Sequence, residues 1–419
     1  MPVYRAVSRA GAAGLLLVPL LAGCSQDEQA PPQAGVVISP SGTAVKPDTP
    51  VIVRANRGTL QDVTVMDGKG TVVEGVMADD ASIWTSRYPL VPGSRYRVRA
   101  AALGTDGQIQ TGSGGFTTTR PRQTVESEVL FPSPREVVGV GMAVKVGFDR
   151  DVADANKAGV ERALEVRSSK PVEGAWRWFD DRNVIFRTKE YWPAHTKVRV
   201  VGHLTGVPIA GGHYGAKDVD LEFSVGDRVE SVGDARKHRV VVKRNGRTIR
   251  TMPASMGKGG VRKYTTTNGV HLTMEKEYMT VMTSPGIGPG QAGYYQQNVN
   301  WTVRISNSGE YLHSAPWSVG SQGRANVSHG CINLSPENGK WFHNISHRGD
   351  PVVITGTDRE LEPENGWGYW QLDWQEWLKG SKAQGLTTGA LTGSASPTGT
   401  RAQVGSPNVS EGRQELRSP

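Results

Sequence analysis

Cys331 lies between His329-Gly330 and Ile332-Asn333 in the stretch 311–334, YLHSAPWSVGSQGRANVSHGCINL, which also carries His313 and Ser314. A thiol attacks as its thiolate, and with an ordinary pKa near 8.5 it is only about 3% ionised at neutral pH. A base must therefore stand close. Two imidazoles are at hand: His329, two residues upstream, and His313, separated from Ser328 by fourteen residues, enough to return the chain from a neighbouring strand. Either could take the proton. Gly330 permits a tight turn that could aim the backbone N–H groups of Gly330 and Cys331 at a developing oxyanion, where losing one donor commonly costs ~2.7–4 kcal/mol. The Asn333 amide could hold this loop or bind a peptide.

The pattern H-x14-S-H-G-C-I-N, with His313-Ser314-Ala315-Pro316-Trp317 and Val319-Gly320, resembles the signature of the L,D-transpeptidases with a YkuD-type catalytic domain. The resemblance covers nearly the whole chain and points to the mycobacterial and actinobacterial lipoprotein branch. It implies acyl transfer through a thioester. Cys331 attacks a tetrapeptide stem, D-alanine leaves, and the amine of a second stem takes the acyl group, giving a 3→3 peptidoglycan cross-link. It also implies that His313 is the base, oriented by the backbone carbonyl of Ser314, and that His329 shapes the site. Tyr295, Met282 and Trp317 would line the substrate pocket with Ser328 and Asn333, and Tyr295 would add a hydroxyl near the oxyanion. For Met282 and Trp317 ordinary core packing competes with that role. Carbapenems should acylate Cys331, and no cofactor or metal is implied. Water intercepting the thioester would make the chain an L,D-carboxypeptidase, and a degenerate site would leave a wall-binding lipoprotein. A papain-like hydrolase is disfavoured, because there the cysteine precedes the histidine.

A zinc reading rests on His343 and His347, whose i, i+4 spacing suits one helix face, but no glutamate follows His343 in the HExxH manner. GIGPGQAG lacks the lysine of a phosphate loop and is expected to be a lid over the site.

The elements that position these residues are mainly β. Hydrophobic residues are 37% and charged ones 21%, and 52 Gly and 25 Pro demand many turns and short strands. The net charge of +8 suits a polyanionic neighbourhood such as a cell envelope. No basic cluster interleaves with aromatics, so nucleic acid is not expected as a partner. Arg5 and Arg9 precede an apolar run ending in Leu21-Ala22-Gly23-Cys24, which reads as a signal peptide over 1–23. Leu-Ala-Gly-Cys resembles the bacterial lipobox, implying lipidation at Cys24 and an anchor on the outer face of the cell membrane, facing the wall; plain secretion is the alternative. With Cys24 lipidated, Cys331 has no disulfide partner.

A polar linker covers 24–36. Two units, 37–120 and 121–227, repeat a plan of strands and turns and are expected to be tandem immunoglobulin-like sandwiches that space the catalytic domain from the membrane. Trp84, Trp176, Trp178 and Phe186 are candidate core residues. The catalytic domain, 228–356, opens on a hairpin at Asn245-Gly246 and should be a mixed β-fold. In the C-terminal extension, 357–382, Trp370, Trp374 and Trp377 fall at helical spacing and are expected to brace the catalytic domain. The Gly/Ser/Thr-rich tail, 383–419, reads as disordered.

Overall fold

The computed structural model describes residues 35–391, apart from 285, 384 and 385. The expected signal peptide and Cys24, the expected lipidation site, lie outside the described residues. The first sandwich packs a sheet of Gly35–Ser39, Ile52–Asn56, Ile83–Ser86 and Gly75–Met77 on a sheet of Gly42–Val45, Ile109–Thr118, Arg95–Gly104 and Gly58–Asp67. Alternation decides which side faces in. Along Arg95–Gly104, Tyr96, Val98, Ala100 and Ala102 are buried while the arginines between them face solvent. The second sandwich repeats the architecture, with Trp176, Trp178 and Phe186 buried, as Trp84 is in the first. It is not all strand and turn, however. Asp154–Ala163 is an α-helix, which buries Val160 and Ala163 against the sandwich.

The C-terminal extension departs from expectation. Its tryptophans do not share one helix: Gly368–Gln371 is a 3-10 turn, and Asp373 caps a new helix, Trp374–Leu378, by accepting the Glu376 N–H at 2.8 Å. The three indoles converge instead on the buried guanidinium of Arg187, whose Cζ lies 4.6, 5.6 and 4.7 Å from the rings of Trp370, Trp374 and Trp377. Arg187 Nη2 donates to the Leu372 carbonyl at 2.7 Å, and burial brings the guanidinium down to about 10. The extension is thus bolted to the second sandwich, and it meets the catalytic sheet through Gln371, which accepts the Val270 N–H at 2.6 Å. Arg187→Ala removes desolvated cation–π contacts and a charged hydrogen bond, so we expect a loss of ~2–4 kcal/mol in denaturant unfolding with a red-shifted tryptophan emission.

The tail is also more ordered than its composition suggests. Leu386–Thr387 pairs antiparallel with Glu173–Trp178, and Gly389–Ala390 pairs parallel with Leu164–Ser168, so one segment covers an edge of each sheet of the second sandwich. Thr388, buried between them, shares a hydrogen bond with the Ser168 hydroxyl at 2.8 Å. Just before it, the buried Glu161 carboxylate accepts the backbone N–H groups of Lys382 and Ala383, each at 2.8 Å. Backbone pairing needs no apolar side chain, which is why composition missed it. Residues 392–419 lie outside the described residues.

The third domain joins two sheets around one core. One is ordered Arg247–Pro253, Arg239–Arg244, Val229–Asp234, Pro351–Thr355, Gly269–Leu272, mixed in direction; the other is Lys276–Thr283, Gln296–Arg304, Tyr311–Ser314, Ile332–Leu334. Asn245 and Gly246, with φ of +50° and +80°, make the two-residue turn their types favour. The core between the sheets includes Val240, Met252, Val303, Leu312, Ile332, Leu334 and Phe342.

The second sandwich and this domain are mortised together. Leu272 and Met274 enter the sandwich core, Gly139 N–H donates to Arg348 O at 2.7 Å and Gly141 N–H to Gly349 O at 2.9 Å. Beside this joint Asp350 is buried with one carboxylate oxygen unpartnered in the structure, and burial pushes its pKa up to about 8. A folded-state pKa above the unfolded one means that the native state holds its proton more tightly, so stability falls as pH rises from about 4 through about 8. Melting temperatures should drop across that window by an amount that Asp350→Asn largely removes.

Candidate active site

In the second sheet of the third domain Tyr311–Ser314 runs parallel to Ile332–Leu334 with His313 opposite Asn333. Leu312, Ile332 and Leu334 are fully buried in the core, so alternation turns His313 and Asn333 to the other face. Cys331, two residues before Asn333, falls on that same face. The helix Pro336–Ile345, capped by the Ser335 hydroxyl, lies directly on the histidine strand. At Gly339 a Cβ would stand 2.7 Å from the Ser314 nitrogen, so only glycine allows this approach.

His313 is buried, and its Nδ1 lies 2.9 Å from the Ser314 carbonyl oxygen. A carbonyl only accepts, so Nδ1 carries the hydrogen and Nε2 keeps its lone pair. Burial pulls the imidazole down to about 4, so it is neutral at physiological pH. Burial likewise pushes the Cys331 thiol up to about 12, with the Glu310 carboxylate adding to the rise, and Sγ is 3.6 Å from the Gly309 carbonyl. Burial thus disfavours the charged form of each group, the imidazolium of His313 and the thiolate of Cys331.

The loop before Cys331 is held from several sides. Gly330 has φ +130°, and its carbonyl accepts the Thr266 hydroxyl at 2.7 Å, while Gly257 N–H donates to that same hydroxyl oxygen at 2.9 Å. The Ser328 hydroxyl donates to the Cys331 carbonyl at 2.6 Å and accepts the Gly330 N–H at 3.1 Å. This corrects one expectation: the Gly330 N–H is engaged inside the loop and does not face a substrate oxygen. Asn333 resolves toward the holding role, since its Nδ2 donates to Ser318 Oγ at 3.0 Å and pins the turn after His313.

A cleft of about 560 Å³ brings together Met282, Tyr295, His313, Trp317, Ser328, His329, Cys331 and Asn333. Trp317 is 52% exposed, with its ring 6.0 Å from that of His313, so it belongs to the cleft wall and not to the core. The GIGPGQAG segment contributes one wall residue, Gly286. The Tyr295 N–H donates to Ser284 Oγ at 2.5 Å and closes the loop at its base. His329 sits against Tyr264 and Tyr295, with ring centroids 4.6 and 5.4 Å away. Its pKa is lowered by burial first and then by Lys258 and Lys263. A second cavity of about 310 Å³, lined by Arg262, Lys263, Glu310 and Arg359, shares Ser308, Gly309 and His329 with the first.

One cluster was not foreseen. The buried Glu310 carboxylate accepts both the N–H and the hydroxyl of Thr267 at 2.6 Å, and Thr267 Oγ1 lies 2.7 Å from Nε2 of the fully buried His271. In sequence Ser308-Gly309-Glu310 reads as an ordinary polar turn, and its partners lie about forty residues away. The zinc reading loses its premise: the helix ends at Ile345, so His347 does not share a helical face with His343. Among the described residues no group of three or more His, Cys, Asp or Glu could hold a metal ion.

A buried imidazole aligned by a main-chain carbonyl, lining the same cleft as the Cys331 thiol across a parallel strand pair, defines a thiol–imidazole site on a β scaffold. The model of the L,D-transpeptidase catalytic domain matches residues 230–354, and that of a bacterial Ig domain matches 42–208. L,D-transpeptidase 5 of Mycobacterium tuberculosis is 35% identical over 379 residues, covering 87% of this chain and 82% of that protein. L,D-transpeptidase 2 of the same species is 35% identical over 353 residues, covering 84% and 85%. The chain belongs to the L,D-transpeptidase family, whose activity is that of an acyltransferase. Among solved structures, LdtMt1 in complex with imipenem is 37% identical and is covered over its full length by 56% of this chain, with a TM-score of 0.48. L,D-transpeptidase 3 of M. tuberculosis with a faropenem-derived adduct is 32% identical, covering 55% of this chain and 97% of that one, with a TM-score of 0.45.

Proposed function

We propose that this chain forms 3→3 peptidoglycan cross-links by cysteine acyl transfer. The observation that carries the reading is the His313 Nδ1–H bond to the Ser314 carbonyl, which leaves Nε2 as a base on the strand face that Cys331 shares. In the forward step Nε2 takes the thiol proton as sulfur attacks the carbonyl preceding the terminal D-alanine of a tetrapeptide stem. The imidazolium then protonates the departing amine, leaving a thioester on Cys331. In the second half the amine of another stem loses a proton to Nε2 and attacks the thioester, and the returning proton restores the thiol. With the Gly330 N–H engaged by Ser328, the oxyanion donors are the Cys331 N–H and the Tyr295 hydroxyl, whose pKa burial raises. The two cavities meeting at Gly309 and His329 give donor and acceptor separate approaches. The strained ring carbonyl of a carbapenem offers the same thiol a trap, and a stable adduct on Cys331 is expected. Incubation of the mature protein with a disaccharide-tetrapeptide, with products read by mass spectrometry, tests the reading. Cross-linked dimer supports it, tripeptide alone assigns the hydrolytic L,D-carboxypeptidase instead, and no product sinks both.

The location follows from Cys24. A multiply acylated cysteine there holds the protein on the outer face of the membrane, and the two sandwiches set the height at which the cleft meets the wall. Cys24→Ala should move the protein from the membrane pellet to the soluble fraction. Retention in the pellet counts against the anchor.

A further inference from the structure

One buried charge beside the sulfur has no part in the acyl-transfer reading. Glu310 ends the turn that leads into the strand Tyr311–Ser314, and its own peptide neighbours meet the thiol: Cys331 Sγ donates to the Gly309 carbonyl at 3.6 Å, and the Tyr311 N–H faces the same sulfur. The Glu310 side chain passes beside the cysteine loop, where a Cβ at Gly330 would stand 3.9 Å from Glu310 Cγ, and ends in a carboxylate that is buried. Both of its oxygens are taken. Oε1 accepts the Thr267 N–H and Oε2 the Thr267 hydroxyl, each at 2.6 Å. A hydroxyl has one hydrogen, so the 2.7 Å contact between Thr267 Oγ1 and His271 Nε2 is an N–H donated by the imidazole. The preceding hydroxyl, that of Thr266, donates to the Gly330 carbonyl at 2.7 Å. Two successive threonines thus hold both segments that touch the sulfur, and His271, on the strand Gly269–Leu272, carries the linkage to the other sheet. At its near end the turn is tied as well, since Ser306 Oγ accepts the Glu310 N–H at 3.1 Å.

We propose that Glu310 is a positioning residue for the reacting thiol: tied through Thr267 to His271, its buried carboxylate fixes the peptide units on either side of it against the Cys331 sulfur. A buried carboxylate stripped of its donors is strongly disfavoured, so the turn has one well-satisfied arrangement and loses it when a partner is removed. In that arrangement the Gly309 carbonyl accepts the S–H of the resting thiol, and the Tyr311 N–H meets the sulfur as it gains charge. The carboxylate has an electrostatic consequence too. Burial is the main reason that the thiol is raised; the Tyr311 N–H opposes the rise and the Glu310 charge adds to it. Removing that charge while keeping the shape should therefore lower the thiol pKa and increase the thiolate fraction at any pH below it. The other titratable groups around the sulfur, Tyr295, Tyr311, His313 and His329, stay in place in such a variant, as do Arg262, Lys263 and Arg359 along the second cavity that Glu310 lines. That the thiol reacts with a stem rests on the cross-linking reading, while its alkylation can be measured with no cross-link formed.

The test compares Thr267→Val, Thr267→Ser and Glu310→Gln in the mature protein, with melting curves alongside. Thr267→Val keeps the volume and breaks both hydroxyl links. A misplacement of about 1 Å can cost about 10²-fold, so the first-order rate of Cys331 acylation by a saturating carbapenem should fall at least about tenfold, with little change in the concentration for half-saturation. Thr267→Ser restores the hydroxyl and should bring the rate back to within about threefold of wild type. Glu310→Gln should move the pH curve of iodoacetamide alkylation toward lower pH, so that alkylation at about pH 8 rises at least about threefold while the melting temperature stays close to wild type. A Thr267→Val rate equal to that of wild type, failure of serine to rescue it, or an alkylation curve that Glu310→Gln leaves in place overturns the proposal. So does an effect confined to melting temperature, since that assigns the cluster to bracing the two sheets. Where Thr267→Val does not fold, the alkylation curve of Glu310→Gln decides alone. The same shifts in a protein that forms no cross-link would sink the catalytic reading and leave the positioning of the sulfur standing.

Discussion

Cys331→Ala should lower cross-link formation by on the order of 10⁴–10⁶-fold and abolish the carbapenem adduct in intact-mass spectra, while the melting temperature hardly changes. The size of the effect follows from covalent catalysis: no other group on the cleft wall can form the thioester. Cys331 is the one free thiol among the described residues, and the hydroxyls of Ser328 and Thr266 are bonded within the loop. The small effect on stability follows from partial exposure of the cysteine, since truncating a half-buried side chain opens little cavity. Residual turnover above a few per cent of wild type would place the nucleophile elsewhere.

His313→Ala should reduce the first-order acylation rate by about 10²–10⁴-fold, the range of a lost general base. The pH dependence separates this role from a preformed ion pair. With His313 pulled down to about 4 and the thiol pushed up to about 12, the wild-type resting state holds a neutral pair between those limits. Alkylation of Cys331 by iodoacetamide, which needs only the thiolate, should therefore climb about tenfold per pH unit through the neutral and alkaline range. Acylation by substrate should stay level from about pH 5 upward until other groups titrate, because Nε2 is already free to accept. An alkylation plateau between pH 5 and 8 would reveal a thiolate–imidazolium pair and refute the neutral ground state. His313 is buried, so the variant's melting curve must accompany the rates. Loss of acylation without loss of folding isolates the base.

The thiol position, the order of histidine before cysteine and the β-rich architecture were all legible in the residues, because each depends on neighbours close in sequence. The Asn245-Gly246 turn and the alternation along Arg95–Gly104 are of the same kind: residue type and spacing alone specify them. What the sequence missed depends on partners brought together by folding. The carboxylate of Glu310 meets Thr267 and His271, forty-three and thirty-nine residues away, and nothing in Ser308-Gly309-Glu310 announces a buried charge. The expected aromatic helix face became a cage around Arg187 because that guanidinium, almost two hundred positions earlier, needed both carbonyl acceptors and ring faces when it was buried.

The amino-acid sequence by itself determined the family, the two sandwiches and which side chains could be a nucleophile and a base. In the tertiary structure His313 Nδ1 meets the Ser314 carbonyl, as the resemblance implied, while His329 packs between tyrosines under the influence of two lysines. Tertiary structure decided that the Gly330 N–H turns to Ser328 and that a Gly-rich tail completes two sheet edges. The physical reason is common to these cases. A hydrogen bond or a desolvated charge takes its strength from whatever stands within about 3 Å, and for a donor in a loop or an unpaired strand edge that neighbour is chosen by the packing of distant segments.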